Sequence, residues 1–117
     1  MEPWELHARE AIRDSIAQYN HAGDRFFLEE LAAAFCEDGV LEVAGRDPAV
    51  GRSAIITLLG GDPTKSADEL REAAKAKNAA TGERRIVRHN IANIRFESVT
   101  PTEARVSCYF TVLTQIG

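Results

Sequence analysis

The order of hydrophobic and polar positions predicts helices first and a long hairpin last. From Trp4 to Tyr19 the small and apolar residues Ala8, Ala11, Ile12, Ser15, Ile16 and Tyr19 recur at steps of three and four, lining one face of a helix. Gly23 interrupts it. A second helical segment follows over roughly Arg25 to Cys36, with Phe27, Leu28, Leu31, Ala34 and Phe35 as its inner stripe. Gly39 ends that helix, and Val40-Leu41-Glu42-Val43 has the character of a short strand. Gly45 to Gly51 is turn-rich, and the apolar run from Ser53 to Leu59 predicts a short, mostly buried helix closed by Gly60-Gly61. Ser66 to Ala80 predicts an exposed helix, with Ser66 as its cap and Glu69 three residues on. Its centre is made of strong helix formers with little apolar stripe, which suits a lid or a peripheral insertion better than a core element.

The last third changes period. Arg84 to Val99 alternates as a strand does, placing Ile86, Arg88, Asn90, Ala92, Ile94 and Phe96 on one side. Val87, His89, Ile91, Asn93 and Arg95 fall on the other. Thr100-Pro101-Thr102 makes a turn, and Ala104 to Ile116 alternates again through Val106, Cys108, Phe110 and Val112. Two long strands joined by a tight turn pair antiparallel. The pattern is therefore α+β, with helices packed on one face of an antiparallel sheet.

Length and charge narrow the function classes. A chain of 117 residues is one domain's worth, so a single domain over 1–117 with a genuine core is expected. Lys plus Arg is 14 against 18 for Asp plus Glu, a formal charge of −4, which argues against nucleic acid as a partner. No apolar run approaches the length that spans a bilayer, and the acidic start Met1-Glu2-Pro3-Trp4-Glu5 lacks the features of a signal peptide. No membrane partner is expected, and the expected location is the cytoplasm. Cys36 and Cys108 have no metal-ligand spacing and are expected as small core residues, neither of them a nucleophile.

Only three histidines are present. His7 lies one place off the apolar stripe of the first helix and is expected at the surface. His21 lies in the polar stretch Tyr19-Asn20-His21-Ala22-Gly23-Asp24, where it is either exposed or pocket-lining. His89 shares a strand face with Val87 and Ile91, which suits either a buried histidine satisfied by a backbone carbonyl or a general base in a cavity. By spacing alone Asp24 better fits the N-cap of the second helix, the alternative being a partner for His89 if the fold joins positions so far apart. No phosphate loop, nucleophile elbow or paired-cysteine site is present, so no metal or cofactor is expected. Arg84, Arg85 and Arg88 form a small basic cluster that suits a solvated strand end.

Several strings, taken in order, carry a family resemblance. They are Ala11-Ile12-Arg13-Asp14 with Tyr19 and Asp24, the run from Leu31 to Val40, Gly51-Arg52-Ser53-Ala54-Ile55, and Val87-Arg88-His89-Asn90-Ile91-Ala92-Asn93. From about Glu5 to Leu113 the chain resembles the SnoaL-like group of the nuclear-transport-factor-two-like superfamily. That resemblance implies an α+β barrel: a cone-shaped, strongly curved antiparallel sheet packed on N-terminal helices, whose mouth takes a small apolar or aromatic ligand. It also implies a homodimer. Asp24 and His89 fall where the branch resembling scytalone dehydratase, lindane dehydrochlorinase and bile-acid dehydratase has an Asp–His pair. There the histidine removes a proton from carbon while the aspartate fixes its tautomer. Tyr19 matches a tyrosine that polarises a substrate carbonyl or hydroxyl. A straight helix would set Tyr19 and Asp24 about 140° apart, so a shared cavity requires the helix to loosen near Gly23.

The chain also departs from that branch. Where the dehydratases place a second histidine or aspartate on the neighbouring strand, this sequence has Ser107 and Tyr109. The family usually continues into a further long strand, whereas the sequence ends at Gly117, so the sheet is expected to lack its usual last strand or the sequence to be a fragment. The resemblance thus implies a cofactor-independent lyase or isomerase using His89, Asp24 and Tyr19. Its alternative is a non-catalytic ligand-binding or oligomerisation subunit, similar to the small subunits of ring-hydroxylating dioxygenases. A steroid-isomerase-like chemistry would need a strand carboxylate as base, and none convincingly fills that role.

Overall fold

The computed structural model describes residues 1–82 and 85–116, the side chains of Arg85 and Ile116 excepted. Arg84, expected at the head of the long strand and in the basic cluster, lies outside the described residues.

Helix α1 spans Pro3–Asp24 and opens with a proline in its first turn, where a missing N–H is harmless. It runs through Gly23 without loosening, contrary to the sequence expectation. The glycine serves packing instead: a Cβ there would stand 3.1 Å from Cδ1 of Leu31, on α2. The helix ends immediately after Asp24 in a Schellman motif. Phe27 N–H donates to the Ala22 carbonyl (2.8 Å) and Phe26 N–H to that of Gly23 (3.1 Å), with Phe26 at φ 60°. A phenylalanine in the left-handed region costs about 1–2 kcal/mol, so the surrounding packing holds it there.

That turn shortens the second helix. Helix α2 covers only Leu28–Ala32, not Arg25 to Cys36, and its N-cap is Phe27, with no side-chain cap. Strands β1 (Val40–Leu41) and β2 (Ala49–Val50) form a small antiparallel pair. Helix α3 (Arg52–Leu58) follows, and the Arg52 guanidinium donates to the Phe35 carbonyl at 2.7 and 3.0 Å. The core is where these elements meet: Ala22 of α1, Leu28, Leu31 and Ala32 of α2, Ala49 of β2, and Ile55 and Ile56 of α3 are buried. Cys36 is exposed and Cys108 half-buried, so the expectation of two core cysteines fails. Cys36 lies beyond the shortened α2, where its neighbour Phe35 is the side chain that packs against the core.

Helix α4 (Ala67–Thr81) is capped as expected, the Ser66 hydroxyl accepting the Glu69 N–H at 3.1 Å, and it buries no residue. Strands β3 (Arg85–Val99) and β4 (Ala104–Ile116) form the long antiparallel hairpin, with His89 opposite Val112 and Ile91 opposite Phe110. Helix α1 packs against α2 and β3. The result is α+β, built on two two-stranded antiparallel sheets.

Unbroken alternation along β3 is corrected by a bulge. The register slips between Ala92 and Arg95, and Asn93 sits at φ 54°, a conformation that asparagine tolerates better than most residues. The extra residue moves the half-buried positions from Val87, His89 and Ile91 to Ile94 and Phe96. Ile94 therefore joins His89 against α1, where strict alternation would have put the two on opposite faces.

Candidate active site

Asp24 and His89 meet although 65 positions apart. The Schellman turn fixes Asp24 as the last residue of α1, beside the middle of β3. Its Oδ1 lies 2.5 Å from His89 Nδ1, and its Oδ2 accepts the His89 backbone N–H at 3.0 Å. Asp24 is 11% exposed and His89 30%. The expected alternative, Asp24 as N-cap of the second helix, is thereby excluded, since α2 begins with an uncapped Phe27.

Burial alone pushes the Asp24 carboxyl up. The hydrogen bonds from the His89 side chain and backbone, with the charges of His89 and Arg88, outweigh burial and hold it below the usual carboxylate range. An ionised carboxylate can only accept, so Nδ1 carries the proton and Nε2 of a neutral imidazole is left with a free lone pair. This is the arrangement of an oriented base.

Two of the cavities that reach His89 adjoin Tyr19 and Asp24. The inner one, of about 150 Å3, is bounded by Tyr19, Phe26, Leu28, Leu31, Leu59 and His89. The outer one, of about 470 Å3, is bounded by His21, Asp24, Arg25, Arg88, His89 and Leu113. Tyr19 and Asp24 thus face different cavities, as the 140° between them on a straight helix requires, and the expected shared cavity does not form. His89 and Asn20 are the side chains common to both. The Tyr19 ring packs edge-on to Phe35 with centroids 5.9 Å apart, and burial pushes its phenol up, keeping it a neutral donor. His7 and His21 are exposed, and His21 lines the outer cavity.

Asn20 and Phe26 were not singled out from the sequence. Asn20 borders both cavities, its amide nitrogen donating to the Ile16 carbonyl at 2.9 Å. Its position one turn before Asp24 on the same helix was the available signal. Phe26 gave none, because a left-handed phenylalanine has no sequence signature. Among the described residues, no group of three or more His, Cys, Asp or Glu side chains is placed to hold a metal ion. No described helix is long and apolar enough to cross a membrane.

The sequence profile described as "SnoaL-like domain" matches residues 4–117. The chain is similar to the crystal structure of a Novosphingobium aromaticivorans protein provisionally assigned as a scytalone dehydratase, with 26% identity and a TM-score of 0.70. The match covers 98% of this chain and 65% of that one, so the chain spans just under two-thirds of that relative's length. Two structures from Catenulispora acidiphila are similar at 27% and 25% identity, each with a TM-score of 0.61, the second in complex with S-DNPA. They match 97% and 96% of this chain and 75% of their own. No curated protein matches the chain.

Proposed function

Because the chain belongs to the SnoaL-like domain family, we propose that it is a cofactor-independent lyase or isomerase of the dehydratase type, acting on a small cyclic or aromatic substrate. The observation that carries this reading is the two-point hold of Asp24 on His89. His89 Nε2 takes a carbon-bound proton, and Asp24 supports the imidazolium that forms. Tyr19 donates a hydrogen bond to the substrate oxygen that becomes an enolate or departs as hydroxide. The inner cavity, near 150 Å3, has the volume of a site that admits one six-membered ring. The cone-like curvature implied by the family resemblance would wrap the sheet around that ring.

Ser107 and Tyr109 stand where related dehydratases have a second acid or base, so a single group must both take and return the proton. The C–H electrons form the new double bond, the C–O bond breaks, and the imidazolium returns its proton to the departing hydroxide as water. Both transfers then occur on one face, a syn elimination. In an isomerase the same proton returns to a different carbon. A panel of hydroxylated cyclic ketones assayed for water loss tests the reading. It expects turnover in the native chain and none in His89→Gln with folding retained; equal turnover by the two proteins refutes it.

A second reading has its own support. Phe110 and Val112, on one face of β4, are 64% and 43% exposed, an apolar surface suited to a homodimer or to a non-catalytic ligand-binding or assembly subunit. Sedimentation of the purified chain, alone and with host extract, separates self-association from capture by a larger partner.

A further inference from the structure

Three guanidinium groups converge on one cleft at the far end of the α1–β3 contact. Arg9 and Arg13, one turn apart on α1, stand 4.8 and 5.1 Å from the ring centroid of Phe96. Arg95, just after the Asn93 bulge, lines the same cleft of about 500 Å3 together with Tyr109. Like charges four residues apart oppose a helix by a few tenths of a kcal/mol, and these are gathered in a chain of net charge −4. Glu5 neutralises Arg9 at 2.9 Å. Among the described residues, no carboxylate or other hydrogen-bond acceptor engages the guanidinium of Arg13 or Arg95. The contact with Phe96 takes none of the hydrogen-bond donors of the Arg13 guanidinium, which remain available to a planar oxyanion.

The cleft does not end at the arginines. A second cavity of about 300 Å3 shares Arg13 and Ile94 with it and continues over Ile16 and Ile91 to His89. Arg13 and Asn20, seven residues apart on α1, are separated by about 10 Å along its axis. We propose that this groove binds an elongated, apolar-bodied small molecule by a carboxylate or phosphate head held between Arg13 and Arg95. The proposal needs the groove and its cations only and stands whether or not His89 acts as a base.

Calorimetry on the full chain tests it, with octanoate and octyl phosphate as anionic probes and 1-octanol and inorganic phosphate as controls. One or both anionic probes should bind, and the tighter identifies the head group. Both controls should bind at least about tenfold more weakly, since each lacks either the charge or the body. Replacing both cations, as Arg13→Gln with Arg95→Gln, should weaken the anion by about tenfold or more, with unchanged circular dichroism. In the native chain, the Arg13 and Arg95 Nε–H resonances should shift on adding the probe, a readout independent of any variant's folding. Binding of 1-octanol equal to that of the anions, no binding of either anion, an unchanged affinity in the double variant, or unmoved arginine resonances would each overturn the proposal.

Discussion

The carboxylate of Asp24 grips His89 twice, one oxygen on the ring Nδ1 and the other on the backbone N–H. A single side chain therefore sets the tautomer of the imidazole and docks the end of α1 onto β3. The two roles separate under mutation. In Asp24→Asn the amide oxygen can still accept the backbone N–H, whereas its NH2 group faces Nδ1 and favours the tautomer with the proton on Nε2. Turnover of a dehydration substrate should fall by about a hundredfold or more, while urea unfolding should show a loss of about 1–3 kcal/mol. An Asp24→Asn protein with native turnover would remove the oriented-base reading.

Stability should depend on acid through the same carboxyl. Asp24 is held below its ordinary value, so the folded state binds that proton less readily than the unfolded chain does. The stabilisation is complete above the unfolded value of about 3.9 and disappears as pH falls through the lower folded value. Denaturant curves across that acid range should show native protein and Asp24→Asn converging as pH drops. A gap that stays constant down the range would mean that the carboxylate's charge contributes nothing.

Tyr19 should matter to chemistry more than to folding. Tyr19→Phe keeps the ring against Phe35 and deletes only the hydroxyl, so the melting temperature should hardly move. The expected effect is a drop in kcat of about tenfold or more, the size associated with one lost transition-state donor. Ultraviolet titration of the tyrosines should also lose its highest-pH component, because burial raises the Tyr19 phenol.

Gly61 offers a test of the core. A Cβ there would lie 2.5 Å from Cδ1 of Leu28 and 2.8 Å from Cγ2 of Ile56, two buried side chains of different helices. Gly61→Ala should destabilise by about 1–3 kcal/mol through overpacking. A thermal melt that is unchanged or raised would show that α2 and α3 are free to move apart.

The bulge makes an equally local prediction. At φ 54°, Asn93→Gly should be tolerated or slightly stabilising, whereas Asn93→Ile should cost about 1–2 kcal/mol. Equal denaturation midpoints for the two variants would argue that the bulge relaxes into regular strand.

Much of this architecture was legible from periodicity. The three- and four-residue steps gave α1, the Ser66–Glu69 pair gave the start of α4, and the alternation gave the hairpin, whose strands match expectation to within a residue. Two departures share a cause. The end of α1 at Asp24 depends on Phe26 adopting a left-handed conformation without the glycine that marks such a turn. The facing of Ile94 depends on an inserted residue at Asn93, and one asparagine in a strand is a faint sign of a bulge. Both are decided by packing between distant segments. Asp24 and His89 were candidates by residue type and by resemblance, but no spacing rule joins positions 65 apart. Their contact exists only once α1 lies along β3.

Helix α4 fully buries none of its side chains, Ala67, Leu70, Arg71 and Ala74 being half-buried, and its Arg71 guanidinium stands 4.2 Å from the centroid of the Phe27 ring. A 15-residue helix in water is marginal by itself. Opening α4 exposes little apolar surface beyond the half-buried Ala67, Leu70 and Ala74, so its amides should exchange with solvent through a local event that denaturant accelerates far less than global unfolding. The amides of β3 beside Asp24 should wait for global unfolding. The chain thus has two thermodynamic layers, a cooperative body and an independent helix, and segments spliced into the helix would leave the body's melting unaltered.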